Sequence, residues 1–150
     1  MKSPITDICD LNDELPPDAP DAPQWLVDAL QVPREEGWVN SDGCDVHFFR
    51  WGDPANPPLL LMHGFLAHAR GMAFIAPFLA EQYHVIAYDL SGMGDSGVRS
   101  SYPDAVRAQE VVDVARETGL FDHAIKPIVI AHSYGCLLYT SPSPRDGTSS

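Results

Sequence analysis

One turn near the end of the chain combines residues that can do covalent chemistry. The short apolar run Ile128–Ala131 is rich in β-branched residues, and His132, Ser133, Tyr134 and Gly135 follow it. This order predicts a buried strand that runs into a sharp turn with a serine at its apex. It is typical of the G-x-S-x-G nucleophile elbow, with alanine in place of the first glycine. A serine exposed in this way attacks a carbonyl carbon when other groups supply a base, an acid and donors for the oxyanion.

Two further turns with distinctive residues lie upstream, and each follows an apolar run. The tripeptide His63–Phe65 (His-Gly-Phe) comes directly after Leu59–Met62. The glycine-rich segment Asp89–Ser96 comes directly after His84–Tyr88. Continuous apolar runs of this length predict strands that are buried on both faces of a parallel sheet.

The first part of the chain predicts a helix and a hairpin. Gln24–Leu30 has amphipathic spacing, and we expect Trp25 to anchor this helix in the core. Trp38–Asn40 and Val46–Trp51 flank the dipeptide Asp42–Gly43, and Asp-Gly is a strong signal for a tight hairpin turn.

Two longer helices are predicted between the later strands. Gly71–Gln82 has helical spacing, and Pro77 should kink this helix or mark where its regular part begins. Ser100 or Ser101 should cap the next helix, and Gly119 should end it. A hairpin followed by strand, helix, strand, helix and strand predicts an α/β fold with a parallel sheet wrapped by helices.

In their order and spacing, the three turns resemble the motifs of the α/β-hydrolase superfamily, specifically its single-domain esterase-like branch. The resemblance covers roughly Pro23 to Gly135 and implies a mostly parallel sheet flanked by helices. In that family the strand order is 1-2-4-3-5-6-7-8, so the fold is expected to be truncated after strand 5.

The resemblance also assigns roles within the predicted site. Ser133 is the nucleophile, and the backbone N–H groups of Phe65 and Tyr134 form the oxyanion hole. A serine rather than an aspartate at this position points to cleavage of an ester, thioester, amide or C–C bond through an acyl-enzyme. Supporting structural roles are expected for His63, Gly64, His132 and Gly135.

Two other functions stay open at this point. The chain is alternatively a non-catalytic member of the fold or an inert fragment. The other, less favoured function is a nucleotide-binding oxidoreductase. It is considered because Gly92, Gly94 and Gly97 match the pattern G-x-G-x-x-G. That fingerprint requires a helix to begin within it, whereas Val98–Pro103 postpones the next helix.

The last residues do not continue the family pattern. In the family a catalytic acid and then a histidine follow the serine, but after Ser133 the chain has only Asp146 and no histidine. Residues 136–150 resemble the translation of a transposase-type sequencing adaptor. We therefore expect a flexible acidic, proline-rich arm (1–23), the N-terminal part of a hydrolase domain (24–135) and a non-native tail (136–150). A fragment of this kind is expected to be inactive and poorly soluble.

The amino-acid composition indicates which classes of partner and ligand the chain is expected to bind. The net charge of the 150 residues is −12, and residues 1–36 contribute −7 of it through nine acidic and two basic residues. Without a basic patch, nucleic acid is not an expected partner. The spacing of the three cysteines matches neither a zinc-binding motif nor a disulfide framework. With no signal peptide or membrane span evident, we expect a cytoplasmic enzyme that needs no cofactor or metal and acts on a small molecule with an electrophilic carbonyl; its oligomeric state is open.

Overall fold

The computed structural model describes residues 22–140, apart from the side chains of residues 137, 139 and 140. The elements in chain order are helix α1 (Gln24–Leu30), strands β1 (Glu35–Ser41), β2 (Cys44–Trp51) and β3 (Pro58–Met62), a 3₁₀ turn (Ala69–Met72), helix α2 (Ala76–Ala80), strand β4 (His84–Tyr88), helix α3 (Asp104–Glu117), strand β5 (Ile128–Ala131) and helix α4 (Tyr134–Thr140). Nearly all of the predicted arm and most of the predicted tail lie outside the described residues.

The five strands form one mixed sheet in the order β1-β2-β4-β3-β5. Strands β3, β4 and β5 are parallel, and the β1–β2 hairpin adds to β4 in antiparallel orientation. The predicted α/β class and the order of the first five strands are therefore confirmed. The hairpin closes at Asp42 and Gly43, both with positive φ (47° and 81°), which is the conformation that a two-residue type I′ turn requires.

The core lies on both faces of the sheet, because successive strand residues point to opposite sides. One face packs against α3 and α4, the other against α1, α2 and the 3₁₀ turn. On the first face the buried strand residues are Val39, Val46, Phe48, Leu60, Met62, Ile86 and Tyr88. On the second they are Phe49, Trp51, Leu59, Leu61, Val85 and Ala87.

Helix α1 has the predicted bounds, but Trp25 is not a core anchor. Its side chain is 52% exposed and packs only at the surface against Phe78, with the ring centroids 6.3 Å apart. The buried residues of α1 are Ala29 and Leu30. The helix turns its C-terminal end toward the sheet, so the tryptophan near its start lies at the rim.

The other helix boundaries differ from prediction in two places. Helix α2 is shorter than expected and has Pro77 in its first turn, so this proline marks where the regular helix begins. Neither Ser100 nor Ser101 caps α3. The N-cap of α3 is Pro103, whose carbonyl accepts the first helical N–H groups without a side-chain cap. Gly119 follows the end of α3 with φ +81°, as predicted for a helix stop.

Strand β5 leaves part of its apolar surface uncovered. Within residues 22–140 it pairs only with β3. Ile128 and Ile130 are 43% and 45% exposed, while Val129 and Ala131 on the other face pack against the core. No helix in this part of the chain is long and apolar enough to cross a membrane.

Candidate active site

The predicted elbow has the backbone geometry of a strained turn. Ser133 lies between the last residue of β5 and the first residue of α4, and its φ is +52°. Non-glycine residues rarely adopt this left-handed conformation. The turn is fixed on both sides: the His132 N–H donates to the Met62 carbonyl (3.0 Å), and the Cys136 N–H donates to the Ser133 carbonyl (3.0 Å). The serine is exposed. A serine at such an apex presents its hydroxyl beyond the sheet.

The strain at Ser133 makes a stability prediction. Glycine adopts positive φ without a steric clash because it has no Cβ. The Cβ of alanine, like that of serine, clashes with the backbone in this conformation. We expect Ser133→Gly to be more stable to urea than Ser133→Ala by about 1 kcal/mol. The same pair of substitutions at the exposed loop residue Ser101, whose φ is not positive, is the matched control and should not favour glycine. Equal stability of the two Ser133 variants would remove the evidence for strain.

Two glycines allow the neighbouring segments to approach the elbow closely. A Cβ on Gly64 would lie 2.8 Å from Nδ1 of His132 and 3.3 Å from Cβ of Ser133. A Cβ on Gly135 would lie 3.0 Å from Cβ of Met62. Because these spacings are shorter than ordinary contacts, any larger residue would push the loop after β3 or helix α4 away from the turn.

The two residues predicted to supply the oxyanion hole are neighbours in the structure. The rings of Phe65 and Tyr134 meet edge to face, with centroids 5.8 Å apart and planes at 75°. Phe65 is 63% exposed, and Leu66 after it has φ +59°. The loop after β3 and the start of α4 therefore flank Ser133 together. The use of the two N–H groups as oxyanion donors stays a prediction.

His63 connects two of the three turns and is buried (2% exposed). Its Nδ1 hydrogen bonds to the Gly64 carbonyl (2.7 Å), and its Nε2 accepts the Leu90 N–H (3.0 Å). These bonds require a neutral ring with the proton on Nδ1. Burial lowers the pKa of His63 below its ordinary value of 6.5. In the described structure His63 has the arrangement of a structural link between the loops that follow β3 and β4.

The lowered pKa of His63 sets a pH dependence. A lowered folded-state pKa gives stability that is complete above pH 6.5 and is lost as pH falls toward the folded-state pKa. We expect the free energy of unfolding to fall less between about pH 7.5 and pH 5.5 in His63→Gln than in the unsubstituted protein. Urea titrations at both pH values measure this difference, and other titrating groups contribute equally to both proteins. Parallel pH dependences would show that His63 does not titrate as described.

Asp89, after β4, is the centre of a buried hydrogen-bond network that the sequence did not reveal. Its carboxylate bonds to Nδ1 of His47 (2.8 Å) and accepts the N–H groups of Ala69 (2.6 Å) and Asp95 (3.1 Å). Nε2 of His47 in turn bonds to Glu36 on β1 (2.7 Å). The network joins β1, β2, the 3₁₀ turn and the glycine-rich loop.

These contacts shift two pKa values in opposite directions. Burial alone would lower the pKa of His47, but its hydrogen bonds to Asp89 and Glu36 outweigh burial and raise it. Burial alone would raise the pKa of Asp89, but the bond to His47 and two backbone N–H groups outweigh it and lower the pKa. Each shift favours the charged form of its group, so His47 and Asp89 stabilise each other's ionised state.

The Asp89 carboxylate ties the loop through bonds to backbone N–H groups, and the Asp95 carboxylate has a different role. The Asp95 carboxylate pairs instead with the guanidinium of Arg70 (3.1 Å) at the surface. His47, Asp89 and Asp95 offer three ligand atoms within 4.8 Å of one another. Because hydrogen bonds already engage both ring nitrogens of His47 and both oxygens of Asp89, the group is satisfied by the protein itself.

Helix α3 contributes buried charges beneath the site that sequence reasoning also missed. Glu110 is fully buried, accepts the Ser91 N–H (3.2 Å) and pairs with Nε of Arg99 (2.8 Å). Arg107 donates to the Ser91 carbonyl (3.1 Å), and its guanidinium carbon lies 5.4 Å from the ring centroid of Tyr134. These side chains fix the loop after β4 relative to the elbow.

The glycine-rich loop does not form the strand–turn–helix of a dinucleotide site. Helix α3 begins at Asp104, seven residues after Gly97. Gly94 lies against the Asp89 carboxylate, and a Cβ on Gly92 would lie 2.6 Å from the hydroxyl of Tyr102. The protein's own side chains therefore occupy the space around these glycines.

Comparison with known proteins agrees with this geometry. A sequence profile of the alpha/beta hydrolase family matches residues 59–148, and the chain belongs to that family. The match includes most of residues 136–150. That this segment is non-native stays a prediction, which sequencing of the source DNA tests.

Individual relatives differ in name, and both hydrolases and an oxidoreductase are among them. Epoxide hydrolase A of Mycobacterium tuberculosis is 30% identical over 107 residues, covering 69% of this chain and 32% of the relative. The uncharacterized hydrolase YNR064C of Saccharomyces cerevisiae is 38% identical over 61 residues, covering 41% of this chain and 21% of the relative. The probable oxidoreductase EphD of Mycobacterium tuberculosis is 31% identical over 101 residues, covering 63% of this chain and 16% of the relative. The chain thus spans about a third or less of these curated relatives.

Solved structures give the same fold. The thioesterase domain from the curacin biosynthetic pathway superposes with a TM-score of 0.63 at 28% identity, covering 70% of this chain and 37% of that structure. A bacterial membrane phospholipase A superposes with a TM-score of 0.61 at 33% identity, covering 68% of this chain and 32% of that structure.

Proposed function

We propose that this chain is part of a serine hydrolase that cleaves an ester, thioester, amide or C–C bond through an acyl-enzyme. The observation that carries the proposal is the exposed Ser133 with φ +52° between β5 and α4. The exposure of Ser133 leaves its hydroxyl accessible to a substrate. Membership of the hydrolase family supports the same reading.

In the proposed reaction the Ser133 oxygen attacks the substrate carbonyl carbon and passes its proton to a base. The N–H groups of Phe65 and Tyr134 stabilise the oxyanion, and each such donor contributes about 3–4 kcal/mol to lowering the barrier. The protonated base then donates to the leaving group, and water hydrolyses the acyl-enzyme by the reverse sequence. We assign the base and the acid to parts of the protein beyond this chain, which spans 32% of epoxide hydrolase A.

The identity of the nucleophile distinguishes the proposed reaction from the reactions for which several relatives are named. A carboxylate at the elbow suits epoxide and haloalkane opening, because it forms an ester with the substrate. This chain has Ser133 there, which suits attack on a carbonyl. The thioesterase and phospholipase structures, at 28% and 33% identity, support carbonyl chemistry. We propose a small-molecule substrate with an electrophilic carbonyl and a cytoplasmic location.

The complete reading frame tests the proposal against a non-catalytic member of the fold. We expect the source DNA to encode an acidic residue and then a histidine downstream of the elbow, and the expressed protein to hydrolyse p-nitrophenyl acetate. A complete frame that lacks either residue, with no ester turnover, would favour the non-catalytic alternative.

A further inference from the structure

A cavity away from the elbow lies between helices α1 and α2. Its volume is about 230 Å³. Its walls are formed by Trp25, Asp28 and Val32 on the side of α1 and by Pro77, Phe78 and Glu81 on the side of α2. These two helices pack on the second face of the sheet, opposite α3 and α4. None of the lining residues belongs to the three turns around Ser133, so the cavity has no part in the proposed acyl transfer.

Two aromatic rings form part of the cavity wall. The ring centroids of Trp25 and Phe78 lie 6.3 Å apart, and the ring planes are tilted by 51°. The two residues are 52% and 51% exposed, so about half of each stays open to a ligand. The face of an aromatic ring is electron-rich and attracts cations that lie within about 6 Å of the ring centroid. Because the planes are tilted rather than parallel, a cation at the open side of the pair is within reach of both rings.

The charged groups of the cavity are carboxylates. Asp28 on α1 and Glu81 at the C-terminal end of α2 are exposed, and among the described residues that line the cavity none is basic. The side-chain amide of Gln24 donates to Oδ1 of Asp28 (2.8 Å), which helps to hold that carboxylate in place. Two negative charges beside two aromatic rings make the cavity complementary to a cation. The net charge of −12 on the chain attracts cations as well.

The size and polarity of the cavity restrict the ligand. Its volume of about 230 Å³ is below the range of about 300–1,000 Å³ that is usual for small-molecule pockets, so it suits a small cationic head group. A primary ammonium is compact and strongly hydrated, and it loses much of this hydration in a cavity with apolar walls. A quaternary ammonium presents methyl groups instead, which Val32 and Pro77 can contact. Quaternary ammonium groups are also the ligands that aromatic cages recognise.

We propose that the cavity between α1 and α2 binds a small organic cation that carries a quaternary ammonium group. The rings of Trp25 and Phe78 contact the methyl groups, and the carboxylates of Asp28 and Glu81 balance the charge. Binding at this site is independent of the proposed hydrolase activity, because the site shares no residue with the elbow or with the loops that flank it.

Titration of the complete protein with choline chloride at constant ionic strength tests the site. In protein that contains isotope-labelled tryptophan, the indole N–H resonance that is missing from Trp25→Leu should shift saturably, and calorimetry measures Kd. We expect Trp25→Leu and Phe78→Leu each to raise Kd about fivefold, because leucine keeps apolar contact but has no ring face. Phe121→Leu, which replaces a half-exposed aromatic residue after α3, is the matched control and should leave Kd unchanged.

The contribution of charge is tested separately. Asp28→Asn/Glu81→Gln should raise Kd about fivefold and make binding less sensitive to salt. Glu117→Gln/Asp122→Asn removes the same charge from exposed positions elsewhere and should leave Kd unchanged. Neohexyl alcohol, the uncharged isostere of choline in which carbon replaces nitrogen, should bind at least about tenfold more weakly than choline.

The other outcomes contradict the proposal. No saturable shift of the Trp25 resonance would show that the cavity does not bind the cation in the complete protein. Equal affinity for choline and neohexyl alcohol would show an apolar pocket without charge recognition. A Kd that rises equally in Phe121→Leu would show non-specific association with exposed aromatic residues. If Trp25→Leu does not fold, calorimetry of Phe78→Leu and of the carboxylate variant decides.

Discussion

Replacing Ser133 with alanine is expected to lower kcat/KM of the complete protein for ester substrates by at least about four orders of magnitude. The substitution removes the side-chain hydroxyl at the apex of the elbow while leaving the backbone N–H groups of Phe65 and Tyr134 in place. The residual rate then comes from substrate binding and the proposed oxyanion hole alone. Steady-state hydrolysis of p-nitrophenyl esters measures the loss.

A control separates chemistry from folding in this experiment. Ser101→Ala removes a hydroxyl from an exposed loop position and should leave kcat/KM unchanged. Ser133→Ala should retain the cooperative thermal transition of the unsubstituted protein. If Ser133→Ala keeps activity within about tenfold of the original, the nucleophile is elsewhere.

The largest expected effect on stability comes from Asp89→Asn, which should lower the free energy of unfolding by about 3–5 kcal/mol. The buried carboxylate bonds to His47 and accepts two backbone N–H groups, and an uncharged amide with one acceptor oxygen cannot replace all three bonds. Asp95→Asn is the matched control. Because the Asp95 carboxylate pairs with Arg70 at the surface, its loss should cost less than about 1 kcal/mol. Urea titration at neutral pH compares the two, and equal small losses would contradict a central role for Asp89.

The same network defines a pH window. The pKa of Asp89 is lowered, so its contribution is present above its ordinary value of 3.8 and is lost as pH falls through the folded-state pKa. The pKa of His47 is raised, so its contribution is complete below 6.5 and is lost as pH rises through the folded-state pKa. The network is therefore most stabilising between these two limits.

Local signals were sufficient for most of the fold. The Asp42–Gly43 turn predicted the β1–β2 hairpin, and the apolar run Leu59–Met62 predicted strand β3. Both predictions depend only on residues that are adjacent in sequence. The elbow belongs to this group, because a strand, a small residue and a glycine within eight positions define it. Strand order followed from the resemblance of these motifs to a known family.

Features that depend on distant residues were not predictable. His47 lies in an apolar strand, and its partner Asp89 comes 42 residues later, with nothing in the local pattern to connect them. Glu110 and Arg107 are charged residues of α3 with no sequence signal for burial, but they are buried because the loop after β4 covers them. Trp25 was predicted to lie in the core, but the buried residues of α1 are Ala29 and Leu30. The docking angle of α1 decides which end of the helix is buried, and the local sequence does not determine that angle.

The most direct test of the account is to locate the covalent adduct of a fluorophosphonate probe in the complete protein. Such probes phosphonylate a serine only when a base activates it and an oxyanion hole stabilises the product. We predict a single adduct on the peptide that contains Ser133, absent from Ser133→Ala and unaffected by Ser101→Ala. Ester hydrolysis without an adduct at Ser133, or with an adduct on another serine, would contradict the assignment of this elbow as the nucleophile.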